Sequence, residues 1–327
     1  MIKFRVVLIL ARMILASVPT WAQSLPTAQN SQKPYFTISA NRSNPVSLIA
    51  FSPDGRWLAT VRGDDILLSS AQPGTPLQSY LPRILTGHRA SMSGLAFADS
   101  HTLVSISQDQ AVKVWDIDLF KLRDTKKLNR GMQNQLVMSP GPEPLAADAA
   151  AGEARLWNYR TGKMVHRFET SDSGVSAVAF TPDGKSLVSV TTKGVLRVLD
   201  VATWTVTRSI DLDTPVRSLA ASAEHIALGY ADGTVAILNL GDQTSIPEAR
   251  QQDGPINALA FSPDGRQFVS ASEDGTVMVW ATETLSVTHS LKASGAAELA
   301  VTFSPDGKRV AAGDATGAVN CWDLRAR

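Results

Sequence analysis

Asp274-Gly-Thr-Val-Met-Val-Trp280 decides the fold, because the chain repeats it. Asp109-Gln-Ala-Val-Lys-Val-Trp115 and Thr316-Gly-Ala-Val-Asn-Cys-Trp322 are close copies. Weaker copies end at Trp157, Leu199 and Leu238, and the weakest near Ser69. Successive end points lie 46, 42, 42, 39, 42 and 42 residues apart. A period of this size signals an array of small identical units.

A second phrase keeps step with the first. Phe51-Ser-Pro-Asp-Gly55, Phe180-Thr-Pro-Asp-Gly184, Phe261-Ser-Pro-Asp-Gly265 and Phe303-Ser-Pro-Asp-Gly307 each stand about 19 residues before a line ending. Degenerate versions lie at Phe97–His101, Met138–Pro142 and around Ala221–Glu224. Proline presets φ, aspartate bonds back to the backbone, and glycine accepts positive φ, so the phrase makes a turn between antiparallel strands. In the unit around Trp280 the strands are expected at Ile256–Phe261, Arg266–Ala271 and Thr276–Trp280, with Glu283–His289 leading into a fourth. The segments are rich in valine, isoleucine, phenylalanine and threonine, and the spacing leaves no room for helices. A four-stranded sheet of this size cannot bury both its faces; radial packing of several such sheets solves that.

The units resemble the blades of the WD-repeat β-propeller family. Leu85-Thr-Gly-His88 is similar to that family's Gly-His element, and Trp115-Asp116 and Trp322-Asp323 to its Trp-Asp element. The resemblance implies a hydrogen-bonded set inside a blade. The second unit supplies it as His88, Ser105 or Ser107, Asp109 and Trp115. The sixth keeps Ser270 or Ser272, Asp274 and Trp280, with Asp253-Gly254 where Gly-His would stand. The fold expected is all-β: a seven-bladed propeller of four-stranded antiparallel blades. The last unit ends at its third strand, and an unpaired alternating strand, Tyr35-Phe-Thr-Ile-Ser39, precedes the first unit. Residues 35–40 are therefore expected to join the last blade and close the ring, removing an open edge.

Residues 35–327 form one propeller domain in this reading, since repeat units share a continuous core. Before it, Lys3 and Arg5 precede apolar runs Val6–Leu10 and Met13–Val18, and Thr20-Trp-Ala22 offers a cleavage site. Residues 1–22 thus read as a signal peptide, and 23–34 as a flexible leader. The expected location is exported, periplasmic or secreted, in a bacterium. A net charge of +1 and 6% aromatic residues argue against a nucleic-acid surface. The single cysteine, Cys321, reads as a core residue.

Catalytic signatures are missing: there is no nucleophile elbow, His-Glu-x-x-His, glycine-rich phosphate loop or Cys-x-x-Cys. Of the five histidines, His88 belongs to the structural set, His101 and His225 fall in turns, and His166 and His289 lie on outer strands that diverge from one another. Asp54, Asp183, Asp264 and Asp306 repeat as turn formers. No cofactor, metal or catalytic residue is expected, and the chain reads as no enzyme. Lys121, Arg123, Lys126, Lys127 and Arg130, offset by Asp124, read as a solvated edge strand; a patch for an acidic partner or lipid headgroups is the sharper reading.

The function expected is a non-catalytic scaffold, exported, that presents propeller loops to one or more partner proteins. It is expected to be a monomer, without nucleic acid and without membrane insertion once the signal is removed. By resemblance, the face carrying the fourth-to-first-strand connections binds, with Arg89, Arg217 and Glu298 as candidates. The competing function is a propeller hydrolase, of lactonase or esterase type, with a metal over the central channel. It would draw on Asn44, Ser93, Gln133, Ser173, Asp213, Asp253 and Glu298.

Overall fold

A computed structural model describes residues 31–38, 44–71, 82–127, 136–139, 145–150, 153–169, 174–241, 247–292 and 295–325. The proposed signal segment, 1–22, lies outside these residues. The chain is an all-β propeller. Among the described residues the strands make seven sheets in which chain neighbours pair antiparallel. The first sheet is Val46–Phe51, Trp57–Arg62, Asp65–Ser70 and Arg83–Leu85. The second is Met92–Asp99, Thr102–Ser107, Ala111–Asp116 and Lys121–Lys127. The third, fourth and fifth repeat the pattern between Leu136 and Arg250. The sixth is Ile256–Phe261, Gln267–Ser272, Thr276–Ala281 and Val287–Lys292, and the seventh holds Glu298–Phe303, Arg309–Asp314 and Val319–Asp323.

The turns form for the reason their composition gives. Ser52 Oγ donates to Asp54 Oδ1 (2.6 Å) and accepts from Trp57 N (2.9 Å), while Asp54 also accepts from Arg56 N (3.1 Å). Thr181-Asp183, Ser262-Asp264 and Ser304-Asp306 repeat this to within about a tenth of an ångström. Gly55 takes φ +69°, a backbone region costly for a residue with a Cβ.

Thin sheets bury their faces on each other. Trp115 packs with Ala59, Val61, Ile66 and Leu68 of the preceding sheet. Trp157 packs with Val112 and Val114, and Trp322 with Val277 and Val279, in the same sense. The six apolar line-ending residues therefore plug their own sheets into the ones before. First strands also touch their neighbours, and Glu298–Phe303 touches Val46–Phe51.

Two short strands precede the first sheet. Ser31–Gln32 runs parallel to Val287–Lys292, with Gln32 beside Leu291. Phe36–Ile38 then pairs antiparallel with the seventh sheet, Phe36 beside Cys321 and Ile38 beside Val319. Thr37 Oγ1 donates to Asn320 Oδ1 at 2.8 Å. Residues 39 and 40, expected in this strand, lie outside the described residues.

Candidate functional site

The second sheet gathers His88, Ser105, Ser107, Asp109 and Trp115 into one network. Trp115 Nε1–H can only donate, and does so to Ser105 Oγ at 2.8 Å. Ser105 O–H is then free to donate to His88 Nε2 (2.8 Å), which leaves His88 Nδ1–H for Asp109 Oδ2 at 2.9 Å. Asp109 also accepts from Arg89 N (3.0 Å) and Ala111 N (3.0 Å). Ser107 Oγ ties the connection by donating to Ala90 O at 2.7 Å. Burial lowers the His88 pKa against the pull of Asp109, so the ring is neutral. Burial alone would raise Asp109, but the His88 and Arg89 hydrogen bonds bring it below its ordinary value.

Other sheets solve the same problem with other groups. In the sixth, Trp280 Nε1 donates to Ser270 Oγ (2.8 Å), and Ser270 donates to the Oε1 of Gln252. Gln252 is fully buried, and its amide donates to Thr276 O (3.0 Å) and Thr276 Oγ1 (2.9 Å). It does the work of His88, one residue before the Asp253-Gly254 singled out in the sequence. An amide matches the acceptor and donor of an imidazole but carries no motif. In the seventh, Ala312 stands where Ser105 would, opposite Asn320, and Trp322 Nε1 donates to Gln32 O at 3.2 Å.

Five of the first strands begin with a bulge. It leaves Ser47, Ser93, Ser176, Asn257 and Leu299 without a partner across the hairpin. Arg217 holds the corresponding place in the fifth sheet, just ahead of the Ser218–Gly229 pair. Periodicity did not reveal this, since one extra residue breaks alternation without changing composition. Arg217 is exposed; its Nε donates to Asn257 Oδ1 (3.1 Å), and its guanidinium stands 3.6 Å from Glu273. Asn257 Nδ2 in turn donates to Glu298 O at 2.9 Å. A polar chain thus crosses three sheets on the face that also holds exposed Arg89.

Glu298 does not stand with the other two. Its side chain is fully buried and neither carboxylate oxygen has a hydrogen-bond partner. Burial, with the nearby Asp314 charge, pushes its pKa up to about 8. Asp314 sits opposite it in the hairpin, and Arg62 of the first sheet lies close enough to feel the Asp314 charge. Glu298 belongs to the seam between the seventh and first sheets, so its candidacy as a partner contact is corrected. A strand start read as a surface position is here roofed by its neighbour.

Among the hydrolase candidates, Asn44, Asp213 and Asp253 are exposed, Ser93 is half-buried and Glu298 is buried; Gln133 and Ser173 lie outside the described residues. No group of three or more histidine, cysteine, aspartate or glutamate side chains among the described residues could hold a metal ion.

A family model described as WD domain, G-beta repeat matches residues 32–67, 79–116, 162–200, 245–281 and 286–323. The chain is also similar to proteins named Eukaryotic translation initiation factor 3 subunit I. It is 28% identical to that of Aspergillus terreus over 226 residues, 63% of this chain and 67% of the relative. It is 28% identical to that of Emericella nidulans over 228 residues, with the same shares. To that of Pyricularia oryzae it is 26% identical over 245 residues, 67% of this chain and 70% of the relative. These relatives correct three expectations. The exported, periplasmic or secreted bacterial protein with a signal peptide is set aside, because they are named for a eukaryotic translation initiation factor. The hydrolase alternative falls with it, and the expected monomer gives way to relatives that are named as subunits. The reading of the chain as no enzyme, with proteins as its partners, agrees with a repeat family and an initiation-factor subunit.

Proposed function

Because this chain belongs to the WD domain, G-beta repeat family, we propose that it is a non-catalytic scaffold subunit that holds protein partners together in a multi-subunit assembly. The subunit status of its relatives supports this, and makes an assembly of the initiation-factor kind the first place to seek partners. The working body is a seven-bladed ring over residues 35–327, closed by the pairing of Phe36–Ile38 with the last sheet. The seven sheets and the first-to-last strand contact favour that reading.

The observation that carries the site is the chain from Arg217 through Asn257 to Glu298 O. It holds an exposed guanidinium in place before any partner arrives, so little ordering entropy remains to be lost on binding. The Arg89 backbone is pinned by its own N–H on Asp109, which sets where its exposed side chain starts. The buried His88 set acts as a brace that positions this connection, not as a reacting group.

Affinity capture with the tagged chain and with an Arg89→Glu/Arg217→Glu variant tests the proposal. A specific protein set is expected with the former and its loss with the latter. Equal capture by both would remove these residues from the site, and no specific partner at all would remove the scaffold.

A further inference from the structure

We propose that the cavity between the second and third sheets is a docking site for an acidic side chain on an extended segment of a protein partner. The inference rests on the scaffold reading and names one place where such a partner is gripped. It starts from a single position on the fourth strands, opposite the third-strand residue just before each line ending. That position holds Arg83, Asp124, His166, Arg208, His289 and Phe36 in the first, second, third, fourth, sixth and seventh sheets.

Five of these side chains close the seam to the next sheet. The Arg83 guanidinium lies 5.1 Å over the Phe120 ring. His166 stacks on Trp204 with centroids 5.1 Å apart. Arg208 donates to Asn239 O at 2.8 Å. His289 Nε2 donates to Leu324 O at 3.2 Å, and Phe36 packs in the cluster that holds Ala71. In the fifth sheet, where the position is Pro247, His225 reaches instead to Glu283 at 3.8 Å.

Asp124 is the exception. Its short carboxylate turns back along its own strand, to Lys126 Nζ (2.9 Å) and Thr125 N (2.7 Å). Among the described residues it makes no hydrogen bond or ion pair to the third sheet, and the seam opens into a cavity of about 420 Å³. Val114 and Tyr159 form its apolar floor, and Asp99, Arg123, Asp124 and Arg160 its sides. Both acids are engaged already, since Asp99 Oδ1 accepts from His101 N at 2.8 Å. The Arg123 charge is felt by Asp124, but among the described residues neither arginine side chain is held by a partner group. Arg123 is the residue left unpaired by the bulge between Leu122 and Asp124, and Arg160 only overlies the Tyr159 ring at 6.0 Å. Neither forms an ion pair among the described residues. Two guanidinium forks over an aromatic floor suit a carboxylate, which each fork can grip with paired N–H groups. Lys121 and Lys127 on the same strand add to the positive field.

The probe is a fluorescein-labelled hexaglutamate peptide, titrated against the full chain by fluorescence anisotropy. Saturable binding is expected, weakening with salt, and hexalysine should not bind. Arg123→Ala and Arg160→Ala should each weaken it by about tenfold, as the loss of a charge-assisted contact does. Asp124→His, the residue that closes the third and sixth seams, should abolish it with no fall in melting temperature. No binding, or binding indifferent to all three substitutions, overturns the proposal. So does stronger competition by inorganic phosphate than by free glutamate, which would assign the site to a phosphorylated segment. Failure here is separable from failure of the scaffold, because Arg123→Ala/Arg160→Ala should leave capture through Arg89 and Arg217 intact.

Discussion

Ser105 and Glu298 are both fully buried polar residues, and they illustrate opposite solutions. Ser105 is satisfied on two sides, so its removal orphans both Trp115 Nε1 and His88. Ser105→Ala should cost about 1–3 kcal/mol, the penalty for buried groups left unpaired, read from denaturant unfolding. Glu298 is unsatisfied, and its carboxyl holds its proton to about pH 8 against an ordinary value of 4.5. Folding therefore favours the protonated form. The stability this contributes is complete below about pH 4.5 and is lost as the pH rises towards 8. Melting curves of Glu298→Gln should lie above those of the parent at pH 8–9 and converge with them near pH 4.5; parallel curves would show that the residue is not held neutral. The Ser105 set was legible in the sequence because every member kept its motif identity. Gln252 and Glu298 were not, since one is a chemical substitute and the other is buried by a sheet distant in the chain.

At the scale of the element, turn chemistry dominates. Gly265 takes φ +70° in the turn where Ser262 and Asp264 bond each other. Gly265→Ala should destabilise by about 1 kcal/mol, from forcing a side chain into a left-handed backbone, and should lower the denaturant midpoint without changing the slope. Asp264 accepts from Ser262 Oγ and Arg266 N, which holds it below its ordinary value. Strands and turns could be read from the chain because alternation and Pro-Asp-Gly are local signals. The bulges at Ser47, Ser93, Ser176, Asn257 and Leu299 could not, because pairing register is a property of two strands together. For the same reason the seam at Asp124 was invisible: the sequence displayed a basic edge strand, and only the third sheet's Tyr159 and Arg160 turn it into a cavity.

For the whole molecule, an all-β propeller was legible from the repeat period, whereas location and assembly were not. No local residue pattern encodes a partner. Deleting residues 31–38 would strip the outer strand from the seventh sheet and expose Trp322 Nε1, which Gln32 O covers. The melting temperature should fall by several degrees or more, since for a domain of this size each kcal/mol is worth about 2–4 °C; an unchanged transition would show that the pairing carries no stability. The same arrangement has a consequence for synthesis. Phe36–Ile38 leaves the ribosome among the first described residues and Val319–Asp323 among the last. Phe36–Ile38 must wait for the synthesis of all six intervening sheets before it meets its mate. Nascent chains stalled before Val319 should therefore stay protease-sensitive at the seventh sheet, and should acquire protection there once Val319–Asp323 has emerged.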